Sequence, residues 1–480
     1  MKIPLAQETV LLQLATFIGY FAILLLVAFF FTKKQKSDTD FVLGNRSLNF
    51  WLTALSAHAS DMSSWLFMAY PALIFTTGLF SAWTAIGLIF GMLLSWKYVA
   101  PKIRTATEQT NSLTLSGYFE ARFGDTSGSI RLVSAGMSVF FLTIYITSGL
   151  VALGFLVESL FHLNYLVGIS VGLAIVVVYV FAGGYRTVAY IDLVQGFFLL
   201  GVILFIPLYL LPKIGGFAAI VQASDAKNLP VSLFPDFSIK TLWKLLMPAL
   251  GWGLGYFGQP QIVTKFMGIK HVTDMKRAMW VGMSWQTTAL AAATLLGLIG
   301  IVLFPDGLAK PEHMILEVVK TTLVPFFAGL VLCAILAATT NVMSAQLLVV
   351  ASNLSEDFYK KILRRKPTSQ ELLRVSRISV VAIAGISFII AFFKISTIYK
   401  LVFYAWSGLG ASFGPLILLS LHSKRINRYG AFSGILVGGL TAIIWDFLGL
   451  EAATTIPSMV AGFTVSTLTI WIVSFLTRKK

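Results

Sequence analysis

The chain has 480 residues, of which 57% are hydrophobic and 12% charged, and it carries a formal net charge of +16 at pH 7. No soluble fold covers that much apolar surface, so the composition excludes a globular water-soluble domain and predicts a polytopic membrane protein. A single cysteine, Cys333, and five scattered histidines exclude a disulfide framework and a multi-cysteine metal site.

Hydropathy predicts about thirteen spans, near residues 9–31, 48–76, 80–100, 130–158, 164–183, 187–211, 241–264, 278–304, 321–351, 375–394, 398–421, 430–449 and 454–476. No A-x-A site follows the first apolar run, Leu11–Phe31, which reads as a retained helix and not as a secretory leader.

The second span contains Ala57-His-Ala-Ser-Asp-Met-Ser-Ser-Trp65. A carboxylate at a helix centre in hydrocarbon costs about 3 kcal/mol on insertion scales, so Asp61 must face protein, ion or water. Ser60, Ser63 and Ser64 are side chains that satisfy backbone groups freed where a helix opens. The stretch is either a polar stripe at a helix contact or an interrupted helix at a substrate or ion site.

The seventh span contains Gly251-Trp-Gly-Leu-Gly-Tyr-Phe-Gly-Gln-Pro260. Each glycine weakens a helix by about 1 kcal/mol and proline by about 3 relative to alanine. Four glycines and a proline together predict a second broken helix, with close helix packing as the competing reading. Interruptions five spans apart are the pattern of an inverted-repeat transporter. The repeats would be about 48–211 and 241–421 of one membrane domain covering 1–480, with 9–31, 430–449 and 454–476 peripheral.

The longest connections, 101–129, 212–240 and 352–374, read as loops. With the N-terminus outside, 27 of the 36 Lys and Arg fall in cytoplasmic connections, among them Lys33, Lys34, Lys36, Lys265, Arg364, Arg365, Lys366, Lys479 and Lys480. That asymmetry predicts an outside N-terminus and a cytoplasmic C-terminus, and assigns the positive charge to lipid headgroups, not nucleic acid. No GxxxxGK[ST] stretch and no nucleophile–base pattern is present, so neither ATP use nor an enzyme is expected. No soluble domain is expected on either side of the membrane region.

Phe41-Val-Leu-Gly-Asn-Arg-Ser47, Thr53–Ala57, Ala59-Ser-Asp-Met-Ser63, Trp65, Gly251–Pro260, Ala334–Ala338, Ser355-Glu-Asp-Phe-Tyr359, Tyr404-Ala-Trp406 and Phe413-Gly-Pro415 together resemble the sodium–solute symporter family, and within it the proline branch. The resemblance runs nearly the whole length. It implies an all-α fold of thirteen helices with a five-plus-five inverted-repeat core, in a bacterial inner membrane. It further implies sodium-coupled symport of L-proline into the cell, with sodium as coupling ion and no organic cofactor.

Residue by residue, the resemblance makes Asp61 the essential carboxylate, Ala59 and Met62 backbone sodium ligands, and Ser63 a residue shared by ion and substrate. It places Tyr145, Trp252, Tyr256 and Pro260 in the substrate pocket and links Asp192 to sodium dependence. Ala338 and Asn341 would complete the sodium site. Asp192 is also noteworthy by itself, as an acid near the start of an apolar span, where an interfacial helix charge is the alternative.

Two departures stand out. The ninth-helix sodium site of the family has two adjacent hydroxyls where this chain has Asn341-Val342. The Asn341 amide replaces one oxygen for a hard cation and Val342 supplies none; Thr340 or Ser344 would compensate only in a rotated or unwound helix. Ser64 and His58 stand where the proline branch has glycines, Ser64 narrowing the pocket and His58 adding a titratable ring. Alternatives are therefore proton-coupled uptake of another small zwitterion, and a transporter-like membrane sensor.

Overall fold

The computed structural model describes residues 15–478 apart from 21, 25, 28–29, 31–37, 162, 363–366 and 395. Part of the first expected span, together with Lys33, Lys34, Lys36, Arg364, Arg365, Lys366, Lys479 and Lys480, lies outside them. The fold is an all-α bundle, and nine helices among the described residues are long and apolar enough to cross a bilayer.

We number thirteen helices: α1 Phe50–Ala59, α2 Tyr70–Thr77, α3 Trp83–Leu94, α4 Ser129–Phe161, α5 Tyr165–Leu210, α6 Ile239–Gly253, α7 Pro260–Met267, α8 Met275–Leu303, α9 Pro325–Ser352, α10 Ser369–Phe392, α11 Ile398–His422, α12 Arg428–Phe447 and α13 Ser458–Leu476. Local sequence sets their starts. Asn49 accepts a hydrogen bond from the Leu52 amide, Ser238 from Thr241, Thr368 from Glu371 and Thr397 from Lys400, each satisfying an amide with no partner inside the helix.

α5 joins two expected spans and is interrupted at Gly184, with φ 60° and ψ −168°, a conformation essentially confined to glycine. The centre of the bundle is α9 and α11, whose apolar windows are each 83% buried, against 39% for α12 and 33% for α13. The outer faces carry large apolar side chains, among them Phe197, Ile378, Phe447 and Phe475, which suit hydrocarbon.

Both expected interruptions are present. α1 ends at Ala59, residues 60–64 are non-helical, and helix resumes as a wide turn, Trp65–Ala69, leading into α2. α6 ends at Gly253, tightens through Leu254–Phe257, extends at Gln259 (ψ 108°) and restarts at Pro260. Proline suits this first position of α7, where an amide proton would have no helical partner.

The expected loops are more structured than their polarity suggests. The chain after α3 stays helical to Gln109, Leu115–Phe123 is a capped helix, 216–226 is helical, and helix continues past α9 to Ile362. Two connection charges are spent inside the protein: Arg46 donates to the carbonyls of Met267, Thr107 and Ser112, and Arg104 to those of Ile269 and Lys270. Hydropathy cannot see this layer because its helices satisfy polar groups against one another rather than against lipid.

Candidate functional site

The two breaks meet. The Tyr256 hydroxyl, from the tight turn after α6, donates to Asp61 Oδ2 in the first break, 195 residues away in sequence. Gln286 of α8 donates from Nε2 to the Tyr256 oxygen at 2.9 Å. Asp61, Tyr256 and Gln286 are all buried, so the carboxylate meets a directed phenol donor, itself held by Gln286.

A small, narrow cavity lies beside this chain of bonds, bounded by Asp61, Met62, Trp65, Leu88, Tyr145, Trp252, Tyr256, Val402 and Trp406. Its walls are largely aromatic. Trp252 lies 4.9 Å from Trp65, 5.1 Å from Phe403 and 6.0 Å from Trp406 between ring centroids, and the Trp406 ring meets Tyr256 edge-on at 5.1 Å. Trp406 Nε1 donates to the Trp252 carbonyl at 2.9 Å, and Trp252 Nε1 to the Tyr399 hydroxyl at 3.3 Å. Tyr145 reaches Ser63 as well as the Asp61 side of the cavity. A lining of one carboxylate, two phenols and flat apolar faces has the chemistry to suit a compact organic cation or zwitterion.

Of the expected substrate residues, Asp61, Tyr145, Trp252 and Tyr256 are thus together. Pro260 is not in this cavity. It lines a separate small cavity, with Thr264, Ser138, Asn353 and Phe413. Ser63 accepts from the Trp65 amide at 3.2 Å and shapes the break. The Ser64 hydroxyl is buried without a partner among the described residues and lies outside the walls of the Asp61 cavity, so it does not narrow it. His58 is a packing residue: it accepts from Trp96 Nε1 at 3.0 Å and stacks on that ring. An indole can only donate, so His58 Nε2 carries no proton in this arrangement.

The expected ion ligands lie on α1, the first break and α9. Among the described residues no backbone amide donates to the Ala59 carbonyl, whereas the Met62 carbonyl accepts from Leu66 at 3.3 Å. α9 packs against α1 and is helical through Ala338, Asn341 and Val342, without unwinding. Thr340 and Ser344 donate to the carbonyls of Leu336 and Asn341. Both side-chain ends of Asn341 are buried and meet no partner among the described residues. A buried amide of this kind is poised for a cation or water.

Asp192 is engaged elsewhere. Its Oδ2 accepts from Lys265 Nζ of α7 at 2.9 Å and from Ser56 of α1, and both members of the ion pair are buried. Lys265, counted among the loop charges that set orientation, is therefore an internal cation. Sequence reasoning missed Gln286 and Lys265 as partners. The signal for Gln286 was available, as the one amide in the apolar stretch 278–304.

The sequence matches the family model described as "Sodium:solute symporter family" over residues 41–438. The chain belongs to that family. Similar sodium:solute symporters include the high-affinity proline transporter PutP of Bacillus subtilis (strain 168), 39% identical over 95% of this chain and 96% of that one. The sodium/proline symporter of Escherichia coli (strain K12) is 36% identical over 94% of this chain and 91% of that one. The fold matches the solved structure of a Na+-coupled sialic acid symporter in a substrate-bound outward-open state, with TM-score 0.82, 20% identity, and 97% and 98% coverage. That match agrees with the inverted-repeat, five-plus-five architecture of this symporter fold.

Proposed function

We propose that this protein imports L-proline by sodium-coupled symport. The observation that carries the reading is the Asp61–Tyr256 contact, which joins both helix breaks at the floor of an aromatic cavity. Proline is a compact zwitterion with an apolar ring. Trp65, Trp252 and Trp406 offer flat faces for the ring and for the cation, a contact worth about 0.5–2 kcal/mol. The amide-bearing starts of the resumed helices suit its carboxylate.

Sodium is read to bind the Ala59, Met62 and Ala338 carbonyls and the Asn341 amide oxygen. The Ala59 carbonyl, to which no backbone amide donates among the described residues, and the Asn341 side chain, without a partner among them, support this set, with Asn341 supplying the oxygen that a hydroxyl gives elsewhere in the family. Asp61 sits between ion and substrate as the coupling carboxylate. Asp192 serves coupling indirectly, by fixing α7 through Lys265. Alternating access rocks one part of the 48–211 and 241–421 core against the other around the site between them.

The reading places the protein in the bacterial inner membrane with its N-terminus outside, on the strength of the Lys and Arg asymmetry. Labelled proline binding to the purified protein tests the site directly. Binding should require sodium and be lost in Asp61→Ala. Binding of equal strength with and without sodium, or unchanged by D61A, contradicts it.

A further inference from the structure

Gln286 is the one amide in the apolar stretch that follows Arg277, and it is fully buried. Its Nε2 lies 2.9 Å from the Tyr256 hydroxyl, while its Oε1 meets no partner among the described residues. The Tyr256 hydroxyl is in turn the donor to Asp61. A phenol has a single proton, and an ionised carboxylate can only accept. With that proton given to Asp61, the second partner of the phenol oxygen has to be a donor. The Gln286 amide meets that requirement with its NH2 group.

We propose that Gln286 is a positioning residue for transport: by donating to Tyr256 it directs the phenolic proton onto Asp61 and so holds that side chain in a fixed orientation. The inference rests on the sodium–proline reading above. The amide is itself held in place. A Cβ at Gly282, one turn earlier, would lie 2.2 Å from His58 Nε2, so α8 and α1 touch there. Trp285, the adjacent residue, donates to the Gly196 carbonyl of α5 at 2.7 Å. Both contacts fix the helix rotation that aims Gln286 at Tyr256.

The titratable groups around it are few. Asp61 and His58 come from the first broken helix, Tyr256 and, beyond it, Tyr145 from the cavity side, and Tyr70 bonds Thr294 two turns along α8. α5 offers Asp192, which is held by Lys265. α3 offers none, and in the turn below it Lys97 and Tyr98 are exposed.

The test is proline uptake by the full chain in proteoliposomes under a fixed sodium gradient, as a function of pH, for wild type, Q286L and Q286E. Leucine removes the donor without adding charge. Its apparent KM for proline should rise about tenfold while the shape of the pH profile stays that of wild type. Glutamate is a donor only when protonated. As a carboxylate it accepts the Tyr256 proton and turns it away from Asp61. The ratio of Q286E to wild-type uptake should therefore fall about tenfold between roughly pH 6 and pH 9.

A Q286E ratio that stays constant with pH, or a wild-type KM in Q286L, overturns the proposal. If neither variant transports, sodium-dependent binding of labelled proline to the purified variants at the two pH values makes the same comparison. Wild type that takes up no proline would defeat the transport reading itself, which separates the two failures.

Discussion

Lys265 Nζ and Asp192 Oδ2 lie 2.9 Å apart with both side chains buried, tying the restarted half of the second broken helix to α5. Ser56 of α1 donates to the same carboxylate oxygen, so three core elements converge on one acid. Removing one member of a buried pair leaves an uncompensated charge and costs about 3–5 kcal/mol, whereas removing both is often near neutral. Lys265→Met and Asp192→Asn alone should each lower the melting temperature and uptake sharply. The double variant should recover most of the stability. Melting curves of the three purified variants check this, and a double variant no better than the worse single one would contradict the latch.

Asn341 offers a separation of binding from stability. Its side chain makes no hydrogen bond among the described residues, so Asn341→Ala removes a buried polar group without orphaning a partner. The sodium-free protein should melt at or above the wild-type temperature, while the sodium concentration for half-maximal uptake rises about tenfold or more. Val342→Thr, adding an oxygen at the neighbouring buried position, should lower that concentration. Sodium titrations of uptake distinguish these outcomes.

Trp252→Ala should weaken proline more than it weakens the fold. The ring is a cavity wall, while the hydrogen bond from Trp406 goes to the Trp252 backbone carbonyl and survives the substitution. Loss of a cation–ring contact of about 0.5–2 kcal/mol corresponds to a roughly 2- to 30-fold rise in KM. A variant that loses only yield, with wild-type KM, would make the ring structural.

Gly91 tests how closely α3 and α6 approach. A Cβ there would lie 2.1 Å from the Gly253 carbonyl oxygen, which is backbone and cannot rotate away. Gly91→Ala should force the helices apart at a cost of about 1–3 kcal/mol and disturb the turn that carries Tyr256. Thermal unfolding and uptake should fall together.

The two breaks were legible because charge and glycine are conspicuous in apolar spans, and Asp61 and Gly258-Gln-Pro260 stand out against them. The glycines themselves divide differently from a uniform helix-breaking role. Gly253 still lies in α6 and admits Gly87 of α3, Gly255 admits the Trp406 ring, and Gly258 admits the backbone of α11. Close packing and interruption are both present in one stretch.

Partners were not legible, because they depend on contacts between distant segments. Nothing in the local sequence joins Gln286 to Tyr256 or Lys265 to Asp192. Pro260 shows that closeness in sequence does not place residues in one cavity. It is eight residues from Trp252 and four from Tyr256 in sequence, yet the extended Gln259 turns it into a different cavity. Arg104 and Lys265 read as loop charges because hydropathy registers polarity and not burial.

The most direct measurement is labelled proline uptake into proteoliposomes under separately imposed sodium and proton gradients. The account predicts accumulation driven by an inward sodium gradient at equal pH, abolished in Asp61→Ala. Accumulation driven by a proton gradient alone and indifferent to sodium would contradict it, as would no proline uptake under either gradient.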